Sequence, residues 1–245
     1  MSGMVRFDAK NLSWTNETLG SGSFGVEPPS LWAGALVYIP AGPQGMLIAF
    51  GGRNVTRIFE GENYLERSVE ADWLNIYVYD IESHTWWMQR ASGDPPESTR
   101  LSFCTAVSQS PGGSSFHITT YAGWSRTDGR SYENVNVLTI PNFEWIDASS
   151  VSDVTNSEKD EDRRVGRDAL TGACHTYRGS QMIILGGQVR EGKTPVTVGN
   201  CTEEYPPIRV LDLSTYEWRT VLDTESEYSV PTVISRVTDG VSRLG

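Results

Sequence analysis

A chain of 245 residues, 38% hydrophobic and 10% aromatic, holds enough apolar material for one large all-β domain or two smaller ones. The formal net charge of -11 argues against nucleic acid and anionic membrane as partners, because both need a local surplus of Lys and Arg. No stretch of about 18 apolar residues is present to span a bilayer, and eight Trp, ten Tyr and 24 Gly point to strands and tight turns rather than helices.

The first element is MVRFD, a strand-like run ending at Asp8, with Trp14 six residues after the Asp. The same offset returns in LNIYVYD–TWWMQR (Asp80, Trp86) and in IRVLD–YEWRTVL (Asp212, Trp218), while NVNVLTI–FEWID offers Thr139 ahead of Trp145. Ahead of each later pair lies an apolar run ending in small residues: MLIAFGG with Gly51 and Gly52, HITTYAG with Gly123, and MIILGG with Gly186 and Gly187. A further apolar run opens each copy, GALVYIP, SFCTAVS and TGACHTY.

Four strands per copy make a propeller blade. The chain therefore divides into a half blade at 1–20, blades at 32–90, 100–147 and 167–222, and a C-terminal strand and tail at 223–245. Three blades and a half predict an open arc rather than a closed ring, since closed propellers have about four to eight blades. The uncovered blade faces then invite self-association. Because Asp8 and Trp14 belong to the late part of a unit, the chain reads as a C-terminal piece of a longer protein.

Asp at the end of the third strand is expected to accept hydrogen bonds from N–H groups about two residues on, and so to turn the chain into the fourth strand. Trp then lands on that strand, where its ring fills the wedge between blades. The Gly pair allows unusual backbone angles and close approach. Asp8, Trp14, Gly51, Gly52, Asp80, Trp86, Gly123, Trp145, Gly186, Gly187, Asp212 and Trp218 are thus scaffold.

These residues resemble the kelch repeat, a Gly-Gly strand, a β hairpin and an Asp-turn-Trp, over nearly the whole chain, with the middle copy departing at Ala122 and Thr139. The runs RLSFCTAV, ACHTYRGSQMIILGG, CTEEYPPIRVLDLSTYEW and YSVPTVIS are similar to kelch ectodomains of fungal membrane or cell-wall-associated proteins. The resemblance implies a galactose-oxidase-like propeller fold and an exported or membrane-associated parent, although this chain shows no signal peptide or span of its own.

Of three cysteines, Cys174 lies on the first strand of the third blade and Cys201 in that blade's long connection. This placement and the family context predict a Cys174–Cys201 disulfide, with Cys104 a buried thiol; two free thiols are the alternative. Four N-glycosylation sequons begin at Asn11, Asn16, Asn54 and Asn200, against about two expected by chance, and with the cysteines they favour export. The intracellular alternative is a kelch adaptor.

Galactose oxidase holds copper through His and Tyr, so the histidines are relevant. His84 falls in a hairpin turn, His117 on a second strand and His175 on a first strand, in three different blades. No metal, cofactor or catalytic set is assigned, and an enzyme remnant remains only an alternative.

Connections between strands two and three are long, at 53–73, 124–133 and 188–207, as are those between blades, whereas the remaining turns are short. Antiparallel order brings both long classes to one side. The elaborated face is the expected binding surface for a protein or glycan. Trp73 and Trp124 lead the candidates there, with Arg57, Phe59, Tyr64, Arg126, Tyr132 and Tyr205, residue types that dominate interfaces. Each of them can equally serve to pack its own loop.

Overall fold

The computed structural model describes residues 4–17, 30–60, 63–149, 168–191, 194–196 and 208–241. It opens with the hairpin of β1 (Met4–Asp8) and β2 (Ser13–Glu17). After β3 (Leu31–Trp32), the first blade has the order β4 (Ala35–Ile39), β5 (Met46–Phe50), β8 (Asn75–Asp80) and β9 (Thr85–Arg90). Between β5 and β8 the chain forms an antiparallel ribbon, β6 (Arg53–Glu60) and β7 (Asn63–Glu70), to which β3 adds an edge.

The short β10 (Ser92–Gly93) runs parallel to the last strand of the second blade, whose strands are β11 (Cys104–Gln109), β12 (Phe116–Tyr121), β15 (Val135–Ile140) and β16 (Glu144–Asp147). A small ribbon, β13 (Trp124–Ser125) and β14 (Arg130–Ser131), projects between β12 and β15. The third blade comprises β17 (Asp168–Tyr177), β18 (Gln181–Glu191), β20 (Ile208–Asp212) and the short β21 (Trp218–Arg219). The far end of β18 pairs with β19 (Thr194–Val196) and, at Arg130 and Glu191, with β14.

Each blade is a four-stranded antiparallel unit. The three long connections are not irregular loops: their described parts extend as β ribbons. No described strand pairs the third blade back to the β1–β2 hairpin, and the sheets form an open series.

Two apolar wedges hold neighbouring blades together. Ile39, Ile48, Phe50 and Ile76 of the first blade pack against Phe116, Ile118, Leu138 and Trp145 of the second. Cys104, Ala106, Tyr121 and Val137 of the second pack against Met182, Ile184 and Leu211 of the third. Trp86, Trp145 and Trp218 each face the sheet before their own. Trp145 lies in the first wedge and its Nε1 donates to the Trp73 carbonyl at 2.9 Å. Trp218 lies 4.8 Å from the Tyr121 ring, and Trp86 groups with Met4 of the opening hairpin.

The Asp turns form as the spacing predicts. Asp8 Oδ1 accepts from Lys10 N (2.8 Å) and Asn11 N (3.2 Å), Asp80 Oδ1 from Glu82 N (3.2 Å), and Asp212 Oδ1 from Ser214 N (2.8 Å) and Thr215 N (3.2 Å). The Lys10 and Asn11 amides hold the Asp8 carboxyl below its usual range, and the Ser83 hydroxyl does the same for Asp80. In the middle copy Thr139 substitutes by donating its hydroxyl to the Glu144 carbonyl at 3.2 Å. Four residues after these positions stand Leu12, His84, Phe143 and Tyr216, all left-handed with φ of 51° to 61°. A side chain in that conformation is uncommon, so one backbone turn has been built from four unlike residues.

The Gly pairs answer to packing. Gly51 has φ of 67°, and a Cβ there would stand 2.8 Å from the Trp73 ring. In the middle copy Ala122, 1% exposed, adopts φ of 63° in the place of the first Gly.

The C-terminal segment departs from expectation. In place of a strand, residues 223–231 cross the short-turn end of the second and third blades, and α1 (Thr232–Val241) follows. Val233 and Ile234 lie one helical turn before Val237, and the three pack on the second wedge, with Ile234 fully buried. Pro231 just ahead suits a helix start, and the 3.6-residue spacing overrides the β-branched composition that suggests a strand.

Candidate binding surface

The ribbons emerge at one end of the blades, as antiparallel order requires. Leu101, in the connection between blades, exchanges both backbone hydrogen bonds with Trp124 of the β13 ribbon, at 2.8 and 3.0 Å. Neighbouring ribbons are tied laterally: Thr127 donates to Glu70, and the β14 and β18 ribbons pair at Arg130 and Glu191. The β6–β7 ribbon is braced by Arg53, which donates to Ser68 O at 2.9 Å and lies 3.6 Å from Glu70.

Within this end a polar knot fixes the small ribbon. Asp128 accepts from Tyr132 Oη at 2.6 Å and from the Ser98 hydroxyl, while its own N–H donates to Ser125 Oγ at 3.1 Å. The Arg100 guanidinium lies 4.5 Å over the Tyr132 ring and donates to Asn134 Oδ1 at 3.3 Å. Such bonds hold the ribbon in one shape.

Two of the expected recognition residues are turned inward. Trp73 is 5% exposed. Its ring packs against Phe50, Phe103 and Trp145, and its Nε1 donates to Ser98 O at 2.8 Å. The cause is its position where the chain re-enters the blade, over Gly51, which leaves room for an indole. Tyr132 is also 5% exposed and closes its own loop through Asp128 and Arg100. Trp124 is half-buried, and Arg126 is exposed at the ribbon tip. Arg57 and Phe59 lie on β6 and Tyr64 on β7, with Phe59 opposite Tyr64; only their backbones are described. Tyr205 lies outside the described residues.

Sequence reasoning overlooked Trp32 and Val69, 50% and 67% exposed on the first ribbon. Trp32 has no repeat offset to single it out, and its exposure follows from β3 being an edge strand.

The disulfide is also corrected. Cys104 is bonded to Cys174, with Cα atoms 5.6 Å apart, rather than Cys174 to Cys201, which lies outside the described residues. Cys104 and Cys174 occupy the first strands of successive blades, β11 and β17, and the propeller packs such strands side by side. The bridge therefore staples one blade to the next instead of closing a loop within one blade.

Of the sequon residues, Asn11, Asn16 and Asn54 are exposed, and Asn200 lies outside the described residues. His84 sits in the β8–β9 turn, where Nδ1 meets Tyr79 Oη at 3.0 Å; His117 is on β12 and His175 on β17. His117 is 1% exposed and contacts Tyr228 Oη at 2.7 Å. Burial pushes its pKa down to about 4 and pushes the Tyr228 hydroxyl up. Among the described residues no three His, Cys, Asp or Glu side chains gather into a set that could hold a metal, and no helix is long and apolar enough to cross a membrane.

No protein-family model matches the chain. A solved structure of YjhT aligns over 93% of this chain and 60% of its own, with 12% identity and a TM-score of 0.47. A kelch repeat-containing protein from Arthroderma benhamiae is 27% identical over 191 residues, 76% of this chain and 24% of that protein. The repeats described above are thus similar in sequence to those of a kelch repeat-containing protein. The chain spans about a quarter of the length of the curated relative it matches. Asp8, Asp80 and Asp212 are turn caps, while Trp86, Trp145 and Trp218 pack against the preceding sheet.

Proposed function

We propose that the chain is a noncatalytic binding scaffold of a larger exported or membrane-anchored kelch protein, and that its ribbon face takes up a protein partner. The observation that carries this reading is the lateral tying of ribbons from successive blades through Thr127–Glu70 and Arg130–Glu191. A surface assembled from several blades and held by hydrogen bonds loses little entropy on binding. It offers Arg126, Trp32, Val69 and the open side of Trp124, a mixture of guanidinium, aromatic and aliphatic groups typical of interface anchors. Export is supported by a disulfide between blades and by three exposed sequon asparagines, because disulfides persist in oxidising compartments.

The test is site-specific photo-crosslinking in the producing organism, with the probe at Arg126 in one variant and at Gly112, on the opposite end, in the other. Partner proteins captured from the Arg126 position alone support the reading. Equal capture from both ends, or capture from Gly112 alone, overturns it.

A second mode of association is supported by a specific observation. Val5, Phe7, Trp14, Leu36 and Tyr38, 45% to 71% exposed, leave apolar surface on β1, β2 and β4. Leu36 and Tyr38 point away from the side of β4 that packs on the second blade. We infer self-association through this face, checked by sedimentation of the chain and of Leu36→Glu. A concentration-dependent dimer abolished by the substitution is expected; a monomer at all concentrations removes the idea.

A further inference from the structure

The end of the blades opposite the ribbons carries a cleft of about 770 Å³. It is bounded by the β11–β12 turn, the β17–β18 turn, Pro40 and the C-terminal crossing segment at Ser226, Glu227 and Tyr228. Nothing in the ribbon-face reading uses it. We propose that this cleft binds a neutral oligosaccharide.

The lining argues for that chemistry over a charged ligand. Among the described residues its charged side chains, Arg178 and Glu227, are of opposite sign and leave no net charge to recognise an anion or a cation. Beside them stand Gln109 and Ser110. A guanidinium only donates hydrogen bonds, a carboxylate only accepts them, and an amide or hydroxyl does both. Together these groups suit a ligand whose every polar atom both donates and accepts, which describes a sugar hydroxyl. Two-pronged planar groups also match neighbouring hydroxyls on one ring.

The floor completes the fit. Tyr228 is half-buried, and its hydroxyl is engaged by His117 Nδ1 at 2.7 Å. The ring is therefore fixed, and what it brings to the cleft is apolar carbon, beside Val107 and Pro111. A pyranose presents C–H groups on one face and hydroxyls around its edge, the same division. Among the described residues no heavy atom lies within 4 Å of the position a Gly112 Cβ would take, so the turn leaves the mouth open.

The walls are positioned before any ligand arrives. Arg178 donates to Thr224 O at 2.9 Å, the Ser180 hydroxyl to Ser226 O at 2.9 Å, and Gln181 clamps Asp223 through Nε2–O (2.6 Å) and N–Oε1 (3.0 Å). A pre-formed concave site with a few convergent polar groups is the usual form of a small-ligand site.

The experiment titrates the whole chain with neutral hexasaccharides of glucose, mannose and N-acetylglucosamine, following binding by calorimetry and saturation-transfer NMR. At least one hexasaccharide should bind, with saturation transferred from aromatic protons. Gln109→Ala, whose side chain is exposed, and Glu227→Gln should each weaken it tenfold or more while unfolding at the wild-type temperature. Arg126→Ala, on the ribbon face, should leave it unchanged, which keeps this test independent of the fate of the ribbon-face reading. Absence of binding across the panel, or wild-type affinity in either the Gln109 or the Glu227 variant, would overturn the proposal.

Discussion

The β1–β2 and β15–β16 hairpins carry the same repeat element and meet opposite fates. In the second blade, Trp145 is 1% exposed, wedged against Phe50 and Trp73 with its N–H bonded. In the opening hairpin, Trp14 is 71% exposed and touches its own neighbour Phe7, with ring centroids 4.7 Å apart. The pairing register is nevertheless the same: Trp14 lies opposite Phe7 and Trp145 opposite Leu138. The motif thus encodes the hairpin, while burial of its Trp comes from the sheet packed in front of it. Local instruction and tertiary reward are separable in this molecule.

The strongest attempt to break that separation is a pair of substitutions. Trp145→Ala should cost about 3–5 kcal/mol by emptying the wedge between blades. Trp14→Ala should cost less than about 0.5 kcal/mol, as expected at an exposed position. Urea denaturation of both variants checks the contrast, and equal losses would mean that the hairpin Trp acts through local structure.

Next in size is the Cys104–Cys174 staple. Reduction, or Cys104→Ala, should remove about 4 kcal/mol on the chain-entropy model for a 70-residue separation. Hydrogen exchange should accelerate in the second and third blades while β1–β2, outside the bridged segment, is unaltered. Mass mapping of the unreduced protein should recover the Cys104–Cys174 peptide pair.

Acid offers a smaller handle that also separates the two regions. The folded-state pKa of His117 lies near 4, below its ordinary value of 6.5. Its neutral form is therefore favoured in the fold, and the associated stability is present above pH 6.5. It is lost as pH falls from there towards 4, because the unfolded chain takes up the proton first. The loss amounts to roughly 2–3 kcal/mol. His117→Gln should flatten stability between pH 6.5 and 4, checked by thermal unfolding at stepped pH. Ile234 and the crossing segment, tied to blade two through Tyr228, should loosen in the same interval, and the β1–β2 hairpin should not.

What was legible in the sequence follows the same division. The Asp and Trp offset, the Gly pairs and the apolar runs specify backbone events within a few residues, and the capped turns at Asp8, Asp80 and Asp212 are such events. Facts that depend on neighbours were harder to read. Trp73 resembles a loop-mouth anchor until Gly51 and Phe103 are known to pack against it. Tyr132 was equally open until Arg100 and Asp128 closed on it. The disulfide had a usable signal that went unread: Cys104 and Cys174 stand at matching places in successive repeats, and such places are adjacent across a propeller. The helix at Thr232–Val241 was hidden by β-branched composition, although Val233, Ile234 and Val237 carry its period. The left-handed residue four positions after each Asp or Thr left no trace, since Leu, His, Phe and Tyr share no chemistry that predicts it.

That last position gives the subtlest comparison. Leu12 and Tyr216 adopt φ of 51° and 61° at matching points of the turn. The backbone strain is therefore shared, while exposure is 75% for Leu12 and 0% for Tyr216. Glycine at either place relieves about 1–2 kcal/mol of left-handed strain, offset by about 0.5–1 kcal/mol of extra unfolded-state freedom. At Tyr216 the gain is overwhelmed by the loss of a buried ring, about 3–5 kcal/mol. At Leu12 no such loss intervenes, and Leu12→Gly should stabilise the hairpin by up to about 1 kcal/mol. The readout is amide exchange of the paired residues Phe7 and Trp14, because global unfolding need not begin at this hairpin. Slower exchange is the expected result; faster exchange would mean that the Leu12 side chain supports the turn.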